Sequence, residues 1–210
     1  IVSFNADFLG TWISPVEYAA AYAKTRKISD ITKAKMSRHI QVENHMSLTG
    51  SNADNRILVR PSEQGVAIAH LYNTIAGGSA ATTGLNDKAK KALSKVAEEL
   101  KAAQGKSIVV SASTNVNEQL MVNAINNALG NYGTTIDMAN HSYQRQGNDA
   151  ELKMLVDEIK AGAVDMIIFN NANPVYDSPY GKTLSESLSK VRNKVSFAPF
   201  GAGISEEPEY

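Results

Sequence analysis

Several groups of residues carry side chains that could do chemistry, and spacing rules out each of them. Gly181-Lys182-Thr183 is the tail of a phosphate loop, in which backbone N–H groups and a lysine wrap a nucleotide's phosphates. The glycine such a loop needs five residues earlier is Tyr176, so this backbone cannot close around phosphate. Gly201-Ala202-Gly203 follows a strand-like run, but Glu206 stands where a dinucleotide fingerprint has its third glycine, and the segment reads as loop. The four histidines are His39, His45, His70 and His141. No pair has helical i, i+4 spacing and no Glu-x-x-His occurs, which leaves no metal motif. No Gly-x-Ser-x-Gly elbow is present, and Ser14, Ser47 and Ser62 read as caps or loop residues. The adjacent acids Glu98-Glu99 and Asp157-Glu158 fall on helical patterns, where neighbours diverge around the surface, so they read as solvated faces. The abundant asparagines suit loops and hydrogen bonding, and supply no acid, base or nucleophile.

The elements that would position any site alternate between apolar β-rich runs and helical patterns. That order predicts α/β with a largely parallel sheet and Rossmann-like, three-layer units. Strands are expected at 1–4, 39–42, 57–60, 107–111, 134–137, 164–169 and 195–198. The run 164–169 is continuously apolar, the pattern of a strand buried on both faces. Helices are expected after Ser14-Pro15, after Pro61, through Ala89, Leu93, Val96 and Leu100, from Met121 to the stop at Gly130, from Asn148 with Glu151 to Gly162, and around 184–191. Residues 49–52 and 77–84 read as loops. The chain divides on this reading into a first lobe (1–84), a connecting helix (85–106) packed on one face, and a second lobe (107–210). An internal echo supports two lobes. Phe4-Asn5-Ala6-Asp7 with Ser14-Pro15 is matched by Phe169-Asn170-Asn171-Ala172-Asn173 with Ser178-Pro179. In each, a strand empties into an Asn-rich loop at its carboxyl end, where open α/β sheets bind ligands.

Composition narrows the partners. In 210 residues, 21 basic and 21 acidic side chains give a net charge of zero, with no field to draw in nucleic acid or an anionic membrane. The absence of cysteine excludes, within these residues, disulfides, iron–sulfur ligation and a thiol nucleophile. The longest apolar runs are strand-sized, far below the roughly 20 residues of a spanning helix, so no direct membrane insertion is expected. The opening Ile-Val-Ser-Phe and the closing Glu-Glu-Pro-Glu-Tyr both read as cut ends, and the expectation is a piece of a longer polypeptide.

Read together, three segments carry a resemblance: Ile1 to Asp7 with Ser14-Pro15; His39-Ile-Gln-Val-Glu43-Asn-His45 continuing to Thr49 and Ala53-Asp54; and Ile57-Leu-Val-Arg60-Pro61 with a helix ending Tyr72-Asn73. Their order resembles the nucleotide-binding core of molybdopterin oxidoreductases of the dimethyl-sulfoxide-reductase type. Residues 126–133 and Ala172-Asn173-Pro174 look like further parts of it. The departures fall on the cofactor side. Glu43-Asn44-His45 replaces an Asp-Pro-Arg, Gln64 replaces the acid expected at a guanine edge, and Asp7-Phe8-Leu9-Gly10 puts bulk where a pyrophosphate needs close backbone approach.

Within that family the pattern at 5–18 and 47–54 is similar to the molybdenum-free large iron–sulfur subunit of bacterial alternative complex III. The resemblance implies a non-catalytic scaffold domain in a respiratory, quinol-oxidising electron-transfer complex. It places that domain on the periplasmic side of the inner membrane, bound to other domains and subunits, with iron–sulfur clusters elsewhere in the parent chain. No catalytic or metal residue is implied here. If a dinucleotide pocket survives, its contacts would be Asn5, Asp7, Glu43, Asn171 and Asn173. Two alternatives stay open: the cofactor domain of an active bis-molybdopterin guanine dinucleotide oxidoreductase, and a stand-alone small-ligand binding module.

Overall fold

The computed structural model describes residues 1–140 and 147–197. The expected strand end at Ala198, His141 and the Gly201-Ala202-Gly203 triplet lie outside the described residues. In chain order the first part holds β1 (Val2–Phe4), α1 (Pro15–Arg26), β2 (Ile40–Glu43), α2 (Leu48–Ser51), β3 (Asn55–Leu58), α3 (Gln64–Ala76), α4 (Asp87–Ala102), β4 (Val109–Ser111) and α5 (Val116–Ala128). The four strands pair in the order β3-β2-β1-β4, all parallel. That is the doubly wound arrangement the alternating pattern predicts, with the chain reversing its direction of travel between β1 and β4.

Alternation along each strand separates the two faces. Val2, Phe4, Ile40, Val42, Ile57 and Val109 point to one face, where Ile68 and Leu71 of α3, Leu93 and Val96 of α4 and Val122 and Ile125 of α5 close the core. The other face carries the polar side chains of Ser3, His39, Gln41 and Glu43, all buried. Helix α1 buries no residue fully. It is held by polar contacts instead, chiefly Arg26 in a two-pronged pair with Asp54 at 2.8 Å on each arm.

The chain divides into compact units at 145/146, not at the helix expected to connect two lobes. Helix α4 buries Ala89, Leu93, Val96, Ala97 and Leu100 in the first core, and β4 pairs with β1. Both therefore belong to the first unit. The strand expected at 134–137 is replaced by a turn. The Asn131 carbonyl accepts the N–H groups of Thr134, Thr135 and Ile136 at 3.2, 3.0 and 2.9 Å, leaving only an isolated bridge between Tyr132 and Ile136. The loop expected at 49–52 contains α2, nucleated when Ser47 Oγ accepts the Gly50 N–H at 2.9 Å.

The second unit contains α6 (Asp149–Ala161), β5 (Met166–Phe169), α7 (Pro174–Asp177), α8 (Gly181–Ser187) and β6 (Asn193–Ser196), with β5 and β6 parallel. Asn148 caps α6 through the N–H groups of Ala150 and Glu151, and Gly162 closes it in the left-handed conformation, as the sequence predicts. Ile167 and Phe169 pack with Val156, Ile159, Leu184 and Leu188. The expectation of burial on both faces fails for β5: Met166 and Ile168 are 52% and 56% exposed, because helices of this unit cover one face of a two-stranded sheet.

Candidate functional site

Open α/β sheets bind at the carboxyl ends of their strands beside the reversal point, here between β1 and β4. A groove of about 320 Å³ lies there, lined by Asn5 after β1, Gln64 at the start of α3, Ser113 and Thr114 after β4, and Glu118 of α5. It is the place where a nucleotide would be sought. Its one charged lining residue is an acid.

The side chains expected to serve a ligand there bond to the protein itself. Asn5 adopts a left-handed φ of 53°, donates from Nδ2 to Gln64 Oε1, and accepts the Asn44 N–H at 3.2 Å. Gln64 is thereby engaged by Asn5. Asp7 Oδ1 accepts the Thr49 N–H at 3.0 Å and the Thr49 hydroxyl at 2.8 Å, and its Oδ2 accepts from Thr11 at 3.2 Å. Burial pushes the Asp7 carboxyl up, but these bonds outweigh it and hold the group below the usual carboxylate range. Glu43 is fully buried. It accepts from Ser47 Oγ at 2.6 Å and pairs with Arg56 Nε at 2.6 Å.

Two glycines make room for these acids. A Cβ at Gly10 would overlap the Asp7 carboxylate, and one at Gly50 would overlap that of Glu43. In a dinucleotide fold, glycines admit the ligand's phosphates; here they admit the chain's own carboxylates. Several backbone donors after β1 are also committed. Gly10, Thr11 and Trp12 all give their N–H groups to the Asp7 carbonyl at 3.0, 2.9 and 2.9 Å, and Leu9 N–H goes to Thr49 Oγ1 at 2.9 Å. A pyrophosphate needs such amides free, or a cation beside it. The residues present do not fit a molybdopterin guanine dinucleotide at this loop.

The remaining expected contacts lie in the second unit. Asn171 takes a left-handed φ of 50°, echoing Asn5, and Asn173 caps α7 by accepting the Tyr176 N–H at 3.3 Å. A short helix starts at Pro174, and the helix expected after Ser178-Pro179 follows at Gly181. Gly181 of the rejected phosphate loop packs against the Val175 carbonyl.

The histidines take separate partners. His45 bonds Asn44 and His70 bonds Ser94, at 2.6 and 3.2 Å. Among the described residues no group of three His, Asp or Glu side chains is placed to hold a metal. His39 is fully buried against the Phe8 ring. The Tyr22 hydroxyl donates to Asn52 O at 3.0 Å and lies 3.1 Å from His39 Nδ1, while Gln41 Oε1 lies 3.2 Å from His39 Nε2. Burial lowers the imidazole from 6.5 to about 4.

A stability effect follows. Above pH 6.5 the ring is neutral folded and unfolded, with no effect. As pH falls from 6.5 toward 4, the unfolded chain takes up a proton that the folded chain refuses, and stability drops by roughly 3 kcal/mol. Urea titrations at pH 7 and pH 4.5 are expected to show most of that loss in the native chain and little of it in His39→Gln; equal slopes in both would place the acid sensitivity elsewhere.

Sequence reasoning missed two structural asparagines. Asn126 of α5 accepts the Val109 N–H at 3.0 Å and donates to the Val109 carbonyl at 2.7 Å. Asn131 braces it, donating to Asn126 Oδ1 at 2.9 Å. With Gln119 Nε2 on the Ser111 carbonyl at 3.1 Å, side-chain amides occupy the outer edge of β4 as a neighbouring strand would.

No protein-family model matches the chain, and no curated protein matches it.

Proposed function

We propose that this chain is a non-catalytic scaffold domain: a molybdopterin-oxidoreductase-like α/β core that docks other domains or subunits and has given up its nucleotide. The setting implied by the resemblance is the iron–sulfur subunit of a membrane-bound respiratory complex on the periplasmic side, with the clusters carried elsewhere. One observation carries the reading. The side chains of Asn5, Asp7 and Glu43 at the carboxyl ends of β1 and β2, the region where open α/β sheets bind ligands, are engaged by Thr49, Thr11, Ser47, Arg56 and Gln64.

The groove beside Asn5 supports a second reading, the small-ligand module, since Ser113 and Thr114 bring hydroxyls to it. The active-oxidoreductase alternative is supported by strand order alone. A thermal-shift titration with guanosine diphosphate separates these readings. The scaffold reading expects no stabilisation at ligand concentrations of about 1 mM, whereas binding with a Kd near 10 μM would stabilise the chain by almost 3 kcal/mol there and overturn it.

A further inference from the structure

The two edges of the four-stranded sheet are treated differently. At β4, Asn126 takes the outward N–H and C=O of Val109, and Gln119 takes the Ser111 carbonyl. At β3 no side chain among the described residues does the same. The Asn55 N–H bonds His39 O and the Val59 N–H bonds Glu43 O, so the odd residues of β3 face β2. The N–H and C=O groups of Arg56 and Leu58 therefore point to the outer edge, where no strand follows among the described residues.

Beside this edge runs a groove of about 470 Å³ between β3 and α4. Lys88, Lys91 and Lys95 line it at i, i+3, i+7 on one face of the helix. All three are exposed, and none makes an ion pair among the described residues. The acid in the groove, Glu99, is taken by Arg38 at 2.7 Å. On the opposite face of the same strand Leu58 stands 62% exposed.

We infer that the β3 edge captures an extended acidic segment of a partner protein, which adds as a fifth strand. Main-chain hydrogen bonds to Arg56 and Leu58 supply the ladder, and alternate side chains supply selection. Residues of the added strand facing α4 are acidic, opposite Lys88, Lys91 and Lys95. Residues on the other face are apolar, beside Leu58. The same lysine row argues against a second copy of this chain, because pairing β3 with β3 would bring like-charged rows together.

Capture at β3 rests on the docking role proposed above but fails separately from it, since nucleotide titration is blind to this edge. The probe is a fluorescent peptide of about ten residues alternating Glu and Val, followed by anisotropy on the whole chain. Saturable binding is expected. It should weaken roughly tenfold or more when alternate peptide amides are N-methylated, which keeps the charge and removes the ladder, and by a similar factor in K88E/K91E/K95E. The methylated peptide needs no variant protein to fold. No saturable binding, equal binding of the methylated peptide, equal binding by the triple variant, or tighter binding of an oligonucleotide each overturns the proposal. So does a concentration-dependent dimer that the peptide disperses.

Discussion

Asn126→Ala is expected to lower the unfolding free energy by about 4 kcal/mol, read as a drop in denaturant midpoint. The side chain is buried and serves both main-chain groups of Val109. Truncation leaves a buried N–H and a buried C=O without partners at roughly 1–3 kcal/mol each. It also removes the acceptor for Asn131 Nδ2. Asn126→Asp separates the two halves of the contact. Its carboxylate can still accept from Val109 N–H but cannot donate to the Val109 carbonyl, and it carries a charge into a buried site. The substitution is expected to cost at least as much as the alanine. Either variant also uncovers the β4 edge, so it should associate at concentrations where the native chain does not. A midpoint within experimental error of the native value would mean that water or a neighbouring strand serves Val109 instead.

Glu43→Ala is expected to cost about 3 kcal/mol and to leave any nucleotide response unchanged. The carboxylate is nearly inaccessible, while its partner Arg56 keeps 27% of its side chain in contact with solvent. Removing the acid therefore strands the guanidinium less severely than a fully buried pair would, at the low end of the 3–5 kcal/mol for breaking such pairs. The lost Ser47 contact adds to this, and with it goes part of the anchoring of α2. Gly50→Ala acts on the same spot from the other side, by forcing a methyl into the space the Glu43 carboxylate fills. Equilibrium denaturation of both variants should show losses of similar sign. A Glu43→Ala chain as stable as the native one would return Glu43 to the list of candidate ligand contacts.

The fold was legible because its determinants are local. Strand-length apolar runs alternate with helical periods, and Pro15, Asn148 and Gly162 mark helix ends within a few residues of where they act. The boundary between units was not, because β4 joins β1 across more than a hundred residues, and nothing near Val109 states that pairing. The run at 164–169 misled for a related reason: apolar continuity reports a strand able to be buried on both faces, and only the packing of α6 and α8 decides which faces are covered. The candidate site was legible as a location. Asn5, Asp7 and Glu43 do sit at the carboxyl ends of β1 and β2, and Asn171 and Asn173 follow β5. Their use was not legible, since Asp7 finds Thr49 and Glu43 finds Arg56 only through the fold. A weak signal existed in Gly10 and Gly50, each near an acid. Nothing in the sequence sets the lysines at 88, 91 and 95 beside β3; only the fold does.

The most direct test of the central claim is a residue-resolved nucleotide titration by two-dimensional NMR, following the backbone amides of Asn5, Gln64, Ser113 and Thr114 as guanosine diphosphate is added. No saturable shift is expected at those amides up to ~1 mM ligand, a ceiling of about 4 kcal/mol of binding free energy. Saturable shifts at Asn5 and Gln64 with a micromolar Kd would show that their mutual hydrogen bond yields to a nucleotide, and would contradict that claim.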